Sequence, residues 1–136
     1  MTSSLPESAR SQLVSRIGDN EVLRAFEVLV TGIEDMGSFE FTPNVAGPKK
    51  AVHLVDEGAR YYAFIANRHW LLWYFRRPGL RDGLFRFDEL ASRFPDFQVS
   101  KLKEPRKAEG QIRIMTVARA REVVAFVSER ISRTYR

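Results

Sequence analysis

The sequence predicts a single α+β domain, with a central antiparallel sheet of about five to six strands and N-terminal and C-terminal helices packed on it. A chain of 136 residues has the size of one domain and can bury one hydrophobic core. Apolar residues recur at helical spacing near both termini. The middle of the chain contains short apolar runs joined by tight polar turns, which are typical of antiparallel strands. We therefore treat residues 1–136 as one domain.

Two helices are predicted before residue 38. Pro6 suits the first turn of a helix that runs to Ile17, and Gly18 can close it. Asp19 is the expected N-cap of the second helix, which Gly37 ends. The second helix has an apolar stripe at three- and four-residue spacing, which is expected to face the core. The stripe consists of Val22, Phe26, Leu29, Val30 and Ile33.

Four strands are predicted next, over residues 39–42, 50–55, 60–66 and 69–75. Asp56-Glu57-Gly58 is a turn signal between the second and third strands. Asn67-Arg68 connects the third and fourth strands as an antiparallel hairpin. After Phe75, the segment that contains Pro78, Gly79 and Gly83 is expected to be a connection without regular structure.

The last third of the chain adds two helices and two strands. A short helix is expected from Phe87 to Phe94, because Pro95 follows its end. Strands are expected at residues 97–100 and 111–115, with a polar loop between them. Thr116 can cap a final helix over residues 117–133.

The composition excludes several kinds of chemistry. There is no Cys, so disulfides and Cys-ligated zinc are excluded, and only two His are present. The glycine-rich phosphate motifs and the Gly-x-Ser-x-Gly elbow are absent. The acids near strands, Glu40, Asp56 and Glu57, are not followed by a lysine as a nuclease-type metal site would require. We predict no catalytic residue, metal or cofactor.

Neither a targeting segment nor a membrane span is predicted. Residues 1–10 lack the apolar core of a signal peptide. The most apolar run, residues 61–75, is interrupted by Asn67, Arg68 and His69 and is shorter than the roughly 20 residues a spanning helix needs. The expected location is the cytoplasm.

Charge is distributed unevenly along the chain. Residues 1–67 carry six Lys or Arg and nine Asp or Glu, whereas residues 68–136 carry sixteen and eight, so the net charges are −3 and +8. A basic half favours an anionic partner. The alternative is that a generally Arg-rich composition accounts for it.

The predicted hairpin is unusually aromatic, because seven of the fifteen residues from 61 to 75 are Phe, Tyr or Trp. Strand alternation places Tyr62 and Phe64 on one face and Ala63 and Ile65 on the other, so both faces are apolar. This pattern predicts a hairpin buried between two layers of helix. The functional alternative is that one face stays partly open, since aromatic and arginine side chains together bind single-stranded nucleic acid.

Basic residues at the ends of the hairpin, or just after it, and in the later polar loop are the candidate binding residues. Loops carry binding residues more often than buried strands do, and a solvated turn is the alternative for the Arg76-Arg77-Pro78-Gly79 segment. The predicted nucleic-acid-binding residues are Arg68, His69, Arg76, Arg77, Arg81, Lys101, Lys103, Arg106 and Lys107.

The second half also resembles a known group of domains. The run YYAFIANRHWLLWYFRRPG, followed later by GQIRIMTVARAREVVAFVSERISRTY, is similar to the closing half of small uncharacterised bacterial domains found beside predicted nucleases or restriction proteins. The shared elements are Ala63-Phe64, Leu71 to Phe75, Gly110 to Met115, and Tyr135. The resemblance covers residues 60–136, implies a nucleic-acid-associated context, and defines no catalytic residue.

Two main hypotheses follow from the sequence, and a third option, an enzyme that acts on an anionic small molecule, would need a pocket that the sequence does not locate. The first is a non-catalytic accessory domain that binds nucleic acid through a basic, aromatic-rimmed surface. The second is a protein-interaction module that forms a homodimer or docks to a partner protein, because aromatic and arginine side chains are also enriched at interfaces.

Overall fold

The computed structural model describes residues 4–43, 51–100, 104 and 108–134. Within these ranges the helices are α1 (Glu7–Arg16), α2 (Asn20–Met36), α3 (Arg77–Arg81), α4 (Phe87–Arg93) and α5 (Val117–Thr134). The strands are β1 (Glu40–Pro43), β2 (Val52–Asp56), β3 (Ala59–Ala66), β4 (Leu71–Phe75), β5 (Gln98–Ser100) and β6 (Glu109–Ile114).

The strands form one sheet in the order β1-β2-β3-β4-β6-β5, in which every neighbouring pair is antiparallel. The predicted α+β domain with an antiparallel sheet and helices at both ends is therefore confirmed. The β3–β4 hairpin lies at the centre of the sheet, as expected for its strongly apolar strands.

Local signals in the sequence set most element boundaries. Asp19 Oδ1 accepts hydrogen bonds from the backbone N–H groups of Glu21 (2.9 Å) and Val22 (3.3 Å), so Asp19 is the N-cap of α2. Gly37 ends α2 in the left-handed conformation, with φ of 68°. Thr116 Oγ1 accepts from the backbone N–H of Arg119 at 3.1 Å and caps α5.

The turn between β2 and β3 has two central residues, Glu57 and Gly58, with φ of 49° and 83°. Positive φ at both positions is characteristic of the type I′ turn, whose twist matches that of the paired strands. The predicted turn is confirmed, with Glu57 in a conformation that L-residues rarely adopt.

The core lies between the helices and one face of the sheet. Tyr62, Phe64, Trp73 and Phe75 project from the central hairpin into this core and are at most 1% exposed. Rings from the helices pack against them: Phe26 of α2 lies 6.3 Å from Phe64, and Phe126 of α5 lies 5.6 Å from Phe75, between centroids. The aromatic hairpin is therefore mainly a structural feature.

The prediction that helices bury both faces of the hairpin is wrong. The core cluster contains Tyr62 and Phe64 but not Ala63 or Ile65, which project from the opposite face. None of the described residues that line the cleft over Ala63 and Ile65 belongs to a helix. Ala63 is only 1% exposed nevertheless, because it is small and stands between His53 and Tyr74 on the flanking strands. Apolar side chains on both faces thus did not require a second helical layer.

Some boundaries differ from the predicted ones. β4 begins at Leu71 rather than at residue 69, because Asn67 donates its backbone N–H to the carbonyl of Trp70 and closes the turn there. The connection after Phe75 contains the short helix α3, with Pro78 in its first turn. β6 begins at Glu109, two residues before the predicted strand.

The described helices are amphipathic or short. α2 buries the predicted stripe and also Ala25, whereas Asn20, Arg24, Glu27, Thr31 and Asp35 are exposed. Among the helices within the described ranges, none combines the length and apolar character needed to cross a membrane.

Candidate functional site

Two clefts meet where β4 ends and β6 begins. Consecutive residues line different clefts: Arg76 and Glu109 line a cleft on the sheet face without helices, whereas Arg77 and Ala108 line a cleft beside α3. We refer to them as the sheet cleft and the arginine cleft. The two clefts therefore have consecutive residues in their linings at these strand ends.

The sheet cleft has a volume of about 330 Å³. It combines an apolar floor with polar side chains from four strands and from Arg76, which follows β4. Its described lining residues are Ala51, His53, Ala63, Ile65, Tyr74, Arg76, Ser100, Glu109 and Gln111.

The register of the sheet builds this cleft. One row of directly opposed residues crosses all six strands: Thr42, His53, Ala63, Tyr74, Gln111 and Gln98. Ala63 is the smallest member of the row and lies between two ring side chains. The row is therefore lowest at Ala63, which lines the cleft between His53 and Tyr74 and is itself only 1% exposed.

A chain of charged and polar contacts lies along one side of the sheet cleft. Arg76 Nε and Glu109 Oε2 form an ion pair at 2.5 Å, although their alignment is not that of a regular hydrogen bond. Arg76 Nη1 lies 3.3 Å from Nδ1 of His53. A guanidinium can only donate, so Nδ1 must accept, which leaves the proton of neutral His53 on Nε2. Glu109 thus fixes Arg76, and Arg76 fixes the tautomer of His53.

The surroundings shift two pKa values in this cleft. The pKa of His53 is lowered from 6.5, first by burial and then by the positive charges of Arg76 and Arg60. The pKa of Tyr74 is raised, first by burial and then by the negative charge of Glu109. At neutral pH both side chains are therefore uncharged, and the charges of Arg76 and Glu109 offset each other.

The arginine cleft is larger, at about 470 Å³, and it is basic. Its described lining residues are Arg77, Leu80, Arg81, Phe85, Arg86, Phe87 and Ala108. Arg81 Nε lies 3.1 Å from Asp82, and Arg86 Nη2 lies 2.9 Å from Asp88. These hydrogen bonds hold the pKa values of Asp82 and Asp88 below their ordinary range. Both arginine side chains are more than 70% exposed, so water screens their ion pairs strongly.

Packing around α3 fixes the position of the arginine cleft. Gly79 lies directly against the ring of the buried Phe85, at a separation that leaves no room for a Cβ. The Tyr61 hydroxyl donates to Asp82 Oδ2 at 3.0 Å, and the Tyr61 carbonyl accepts from the Arg76 N–H at 2.9 Å. The segment that carries the arginines is thus attached to β3 at two points.

The predicted binding residues do not form one patch. Arg76, Arg77 and Arg81 lie together at the end of β4. Arg68 and His69 lie at the opposite end of that strand, about 16 Å away for five strand residues. There the Arg68 carbonyl accepts from the Gly18 N–H at 2.9 Å, and the Arg68 side chain packs against Gly18.

Four other predicted residues, Lys101, Lys103, Arg106 and Lys107, lie outside the described residues. Arg76 was predicted to bind nucleic acid. In the structure Glu109 balances its charge, and only 23% of its side chain is exposed. Of the predicted binding residues at the end of β4, Arg77 and Arg81 line the arginine cleft.

Sequence reasoning missed the polar residues of the sheet cleft: His53, Tyr74, Ser100, Glu109 and Gln111. A partial signal was present, because His53 and Tyr74 alternate with core residues along their strands. Strand alternation identifies a face, but it does not identify which strands are neighbours. The cleft depended on pairing β4 with β6, which are separated by two helices and β5.

The described residues contain no group of three His, Asp or Glu side chains placed to hold a metal ion. What the two clefts offer is hydrogen bonding, cationic charge and apolar surface. Comparisons with protein-family models, with curated proteins and with solved structures found no match. The geometry of the two clefts is therefore the basis for assigning a function.

Proposed function

We propose that this domain binds nucleic acid without catalysing a reaction, through the arginine cleft and the adjoining open face of the sheet. The supporting observation is that three arginines, Arg77, Arg81 and Arg86, line one cleft that has an apolar base. We also propose that the protein acts in the cytoplasm.

Arginine suits phosphate because its planar guanidinium can donate two parallel hydrogen bonds to one phosphate group. Asp82 pairs with Arg81 and Asp88 pairs with Arg86, so these two acids offset part of the charge of the three arginines that line the cleft. Exposed ion pairs of this kind contribute little stability, so a phosphate can replace either carboxylate as the arginine's partner. We expect binding of moderate strength that depends on salt.

The apolar base favours a nucleic acid over a free phosphate ion. Leu80 and Phe87 are only partly buried and line the cleft beside the arginines. Aromatic side chains next to cations hold unpaired bases by stacking while the cations contact the backbone. The +8 charge of residues 68–136 adds a longer-range attraction for a polyanion.

The test is fluorescence anisotropy with labelled single-stranded oligonucleotides of about 12 residues at several salt concentrations. Three phosphate contacts predict a slope of about −2 for log K against log salt. The affinity should therefore fall about 20-fold between 50 and 200 mM salt. An affinity that is constant over this range would overturn the proposal.

Charge-reversal variants locate the site. Arg77→Glu combined with Arg81→Glu should abolish measurable binding, since it converts two contacts into repulsions. The matched control is Arg24→Glu on α2, because Arg24 is also exposed and also paired with a nearby acid, Glu21. If the control weakened binding as much as the double variant, general net charge would explain the binding and the site assignment would be wrong.

A second candidate function, self-association, is favoured by a different surface. A groove of about 620 Å³ runs between α2 and α5, with Val28, Gly32 and Val124 among its lining residues. Asp35 on α2 and Arg121 on α5 also line it, so a second copy in reversed orientation would bring opposite charges together. Trp73 cannot contribute to this interface because it is fully buried within the monomer.

Sedimentation velocity at several protein concentrations tests this second candidate. A dimer should dissociate when Val124→Glu places a charge in the groove, whereas Arg24→Glu should leave it intact. A monomer at every concentration would contradict self-association and leave the nucleic-acid proposal unchanged.

A further inference from the structure

We infer that the sheet cleft receives one unpaired nucleobase, while the phosphates beside that base lie on the arginine cleft. This inference rests on the proposed function and adds to it a base-reading site. It assigns a role to His53, Tyr74, Ser100 and Gln111, which a purely electrostatic binder would not need.

The first argument is shape. The cleft volume of about 330 Å³ is at the lower end of the range for small-ligand pockets, which begins at about 300 Å³. Its lowest point lies at Ala63, between His53 and Tyr74. Tyr74 offers an aromatic ring at the side of this cleft, and stacking on an aromatic ring is the usual way in which proteins hold unpaired bases.

The second argument is charge. The Arg76–Glu109 ion pair is internally neutral, and His53 has a lowered pKa, so the lining residues carry no net charge at neutral pH. A phosphate or carboxylate would have to compete with Glu109 for Arg76. An uncharged ligand meets no such competition. The sheet cleft therefore suits a base, whereas the arginine cleft suits the phosphates.

The third argument is hydrogen bonding. Neutral His53 accepts from Arg76 at Nδ1 and so keeps an N–H donor at Nε2. Gln111 supplies an amide donor and an amide acceptor, and Tyr74 supplies a hydroxyl that can do either. The edge of every nucleobase presents donors and acceptors in a fixed plane, and these are the groups that read such edges.

The fourth argument is continuity. Arg76 and Arg77 are consecutive and line different clefts, as do Glu109 and Ala108. A strand of nucleic acid that crosses the end of β4 can therefore place a base in one cleft and its neighbouring phosphates in the other.

The test compares four homopolymers of about 12 nucleotides with an abasic strand of the same length and charge, in fluorescence anisotropy at 50 mM salt. At least one homopolymer should bind about tenfold more tightly than the abasic strand, a typical effect of stacking one base. Tyr74→Ala and Gln111→Ala should each reduce that preference and leave abasic binding unchanged. Gln98→Ala is the matched control, because Gln98 lies in the same cross-strand row but does not line the cleft.

The possible results separate this inference from the proposed function. Equal affinity for all five strands, with a steep salt dependence, would overturn the base site and the stacking on Phe87, and would leave standing the phosphate contacts of the nucleic-acid proposal. If Gln111→Ala also weakened binding to the abasic strand, the effect of Gln111 would not come from contact with a base. That result would count against the base site.

If no oligonucleotide binds, the proposed function fails, and free nucleosides provide the remaining test of the base site. Millimolar nucleoside should shift the His53 and Tyr74 ring signals in NMR spectra of the wild-type protein, and it should shift them less in Gln111→Ala. Unshifted signals for all nucleosides, without oligonucleotide binding, would overturn the inference.

Discussion

Arg130 on α5 lies with Nη2 2.8 Å from Oε2 of Glu89 on α4, and only 2% of its side chain is exposed. Its guanidinium also stacks 4.1 Å from the ring centre of Phe126. A buried cation that is held by a carboxylate and an aromatic ring fixes the last helix against α4. The structure thus assigns to packing an arginine that the basic composition alone would group with the binding surface.

We predict that Arg130→Ala lowers the free energy of unfolding by about 2 kcal/mol, because it removes a buried side chain that packs on Phe126 and is paired with the partly exposed Glu89. Urea denaturation measures this change. The control is Arg24→Ala in the Arg24–Glu21 pair, where Arg24 is 70% exposed and the expected loss is below about 0.5 kcal/mol. Equal losses in the two variants would show that Arg130 contributes no more than a surface charge.

Gly79→Ala should destabilise the protein by about 2 kcal/mol, because the new methyl group would overlap the ring of the fully buried Phe85. Gly110→Ala is the matched comparison. Its methyl group would overlap Phe97, which is only partly buried and can move. Thermal unfolding of the two variants tests the difference, and a Gly110 variant that is the less stable of the two would contradict it.

Glu57→Asn should raise the free energy of unfolding by about 0.5 kcal/mol, since Asn tolerates the left-handed conformation better than Glu does and Asn-Gly is preferred in type I′ turns. Glu57→Gln controls for the lost charge, because it removes the carboxylate without that conformational preference. If Asn and Gln gave the same stability in chemical denaturation, strain at Glu57 would not be the cause.

His53 should make the protein less stable in mild acid. Its folded-state pKa is below 6.5, so below pH 6.5 the unfolded chain binds more protons at this residue than the folded chain does. The contribution of His53 to stability is therefore complete above pH 6.5 and is lost as the pH falls through the folded-state pKa. Urea midpoints between pH 7.5 and pH 5 should fall more steeply in the wild type than in His53→Gln, and the reverse order would refute the prediction.

Much of the fold could be predicted because its signals are local. Asp19, Gly37 and Thr116 act within three residues of their own positions, and the Asp56-Glu57-Gly58 turn depends only on backbone conformation there. α3 was missed because Pro78 and Gly79 usually mark loops. Gly79 in this helix lies in close contact with the ring of Phe85, and the Pro-Gly pattern gives no indication of that contact.

The candidate site was only partly predictable. Arg77 and Arg81 could be identified from their position after the aromatic hairpin, and the structure brings them to one cleft. Arg68 is also a basic residue beside the aromatic hairpin, but it lies at the other end of β4. The length of the strand keeps it away from Arg77 and Arg81. The sheet cleft, and the neutralisation of Arg76 by Glu109, depend on residues that lie far apart in the chain.

By itself the sequence determined the fold class, the N-cap of α2 and the tight turns. It also determined that Tyr62 and Phe64 share one face of a strand. These features could be predicted because backbone conformation and side-chain alternation are local properties. Only the tertiary structure decided which face the helices cover and which arginines are exposed. It also decided that His53, Tyr74 and Gln111 stand in one row. These outcomes depend on which strands become neighbours, and that pairing is set by the packing of the whole core.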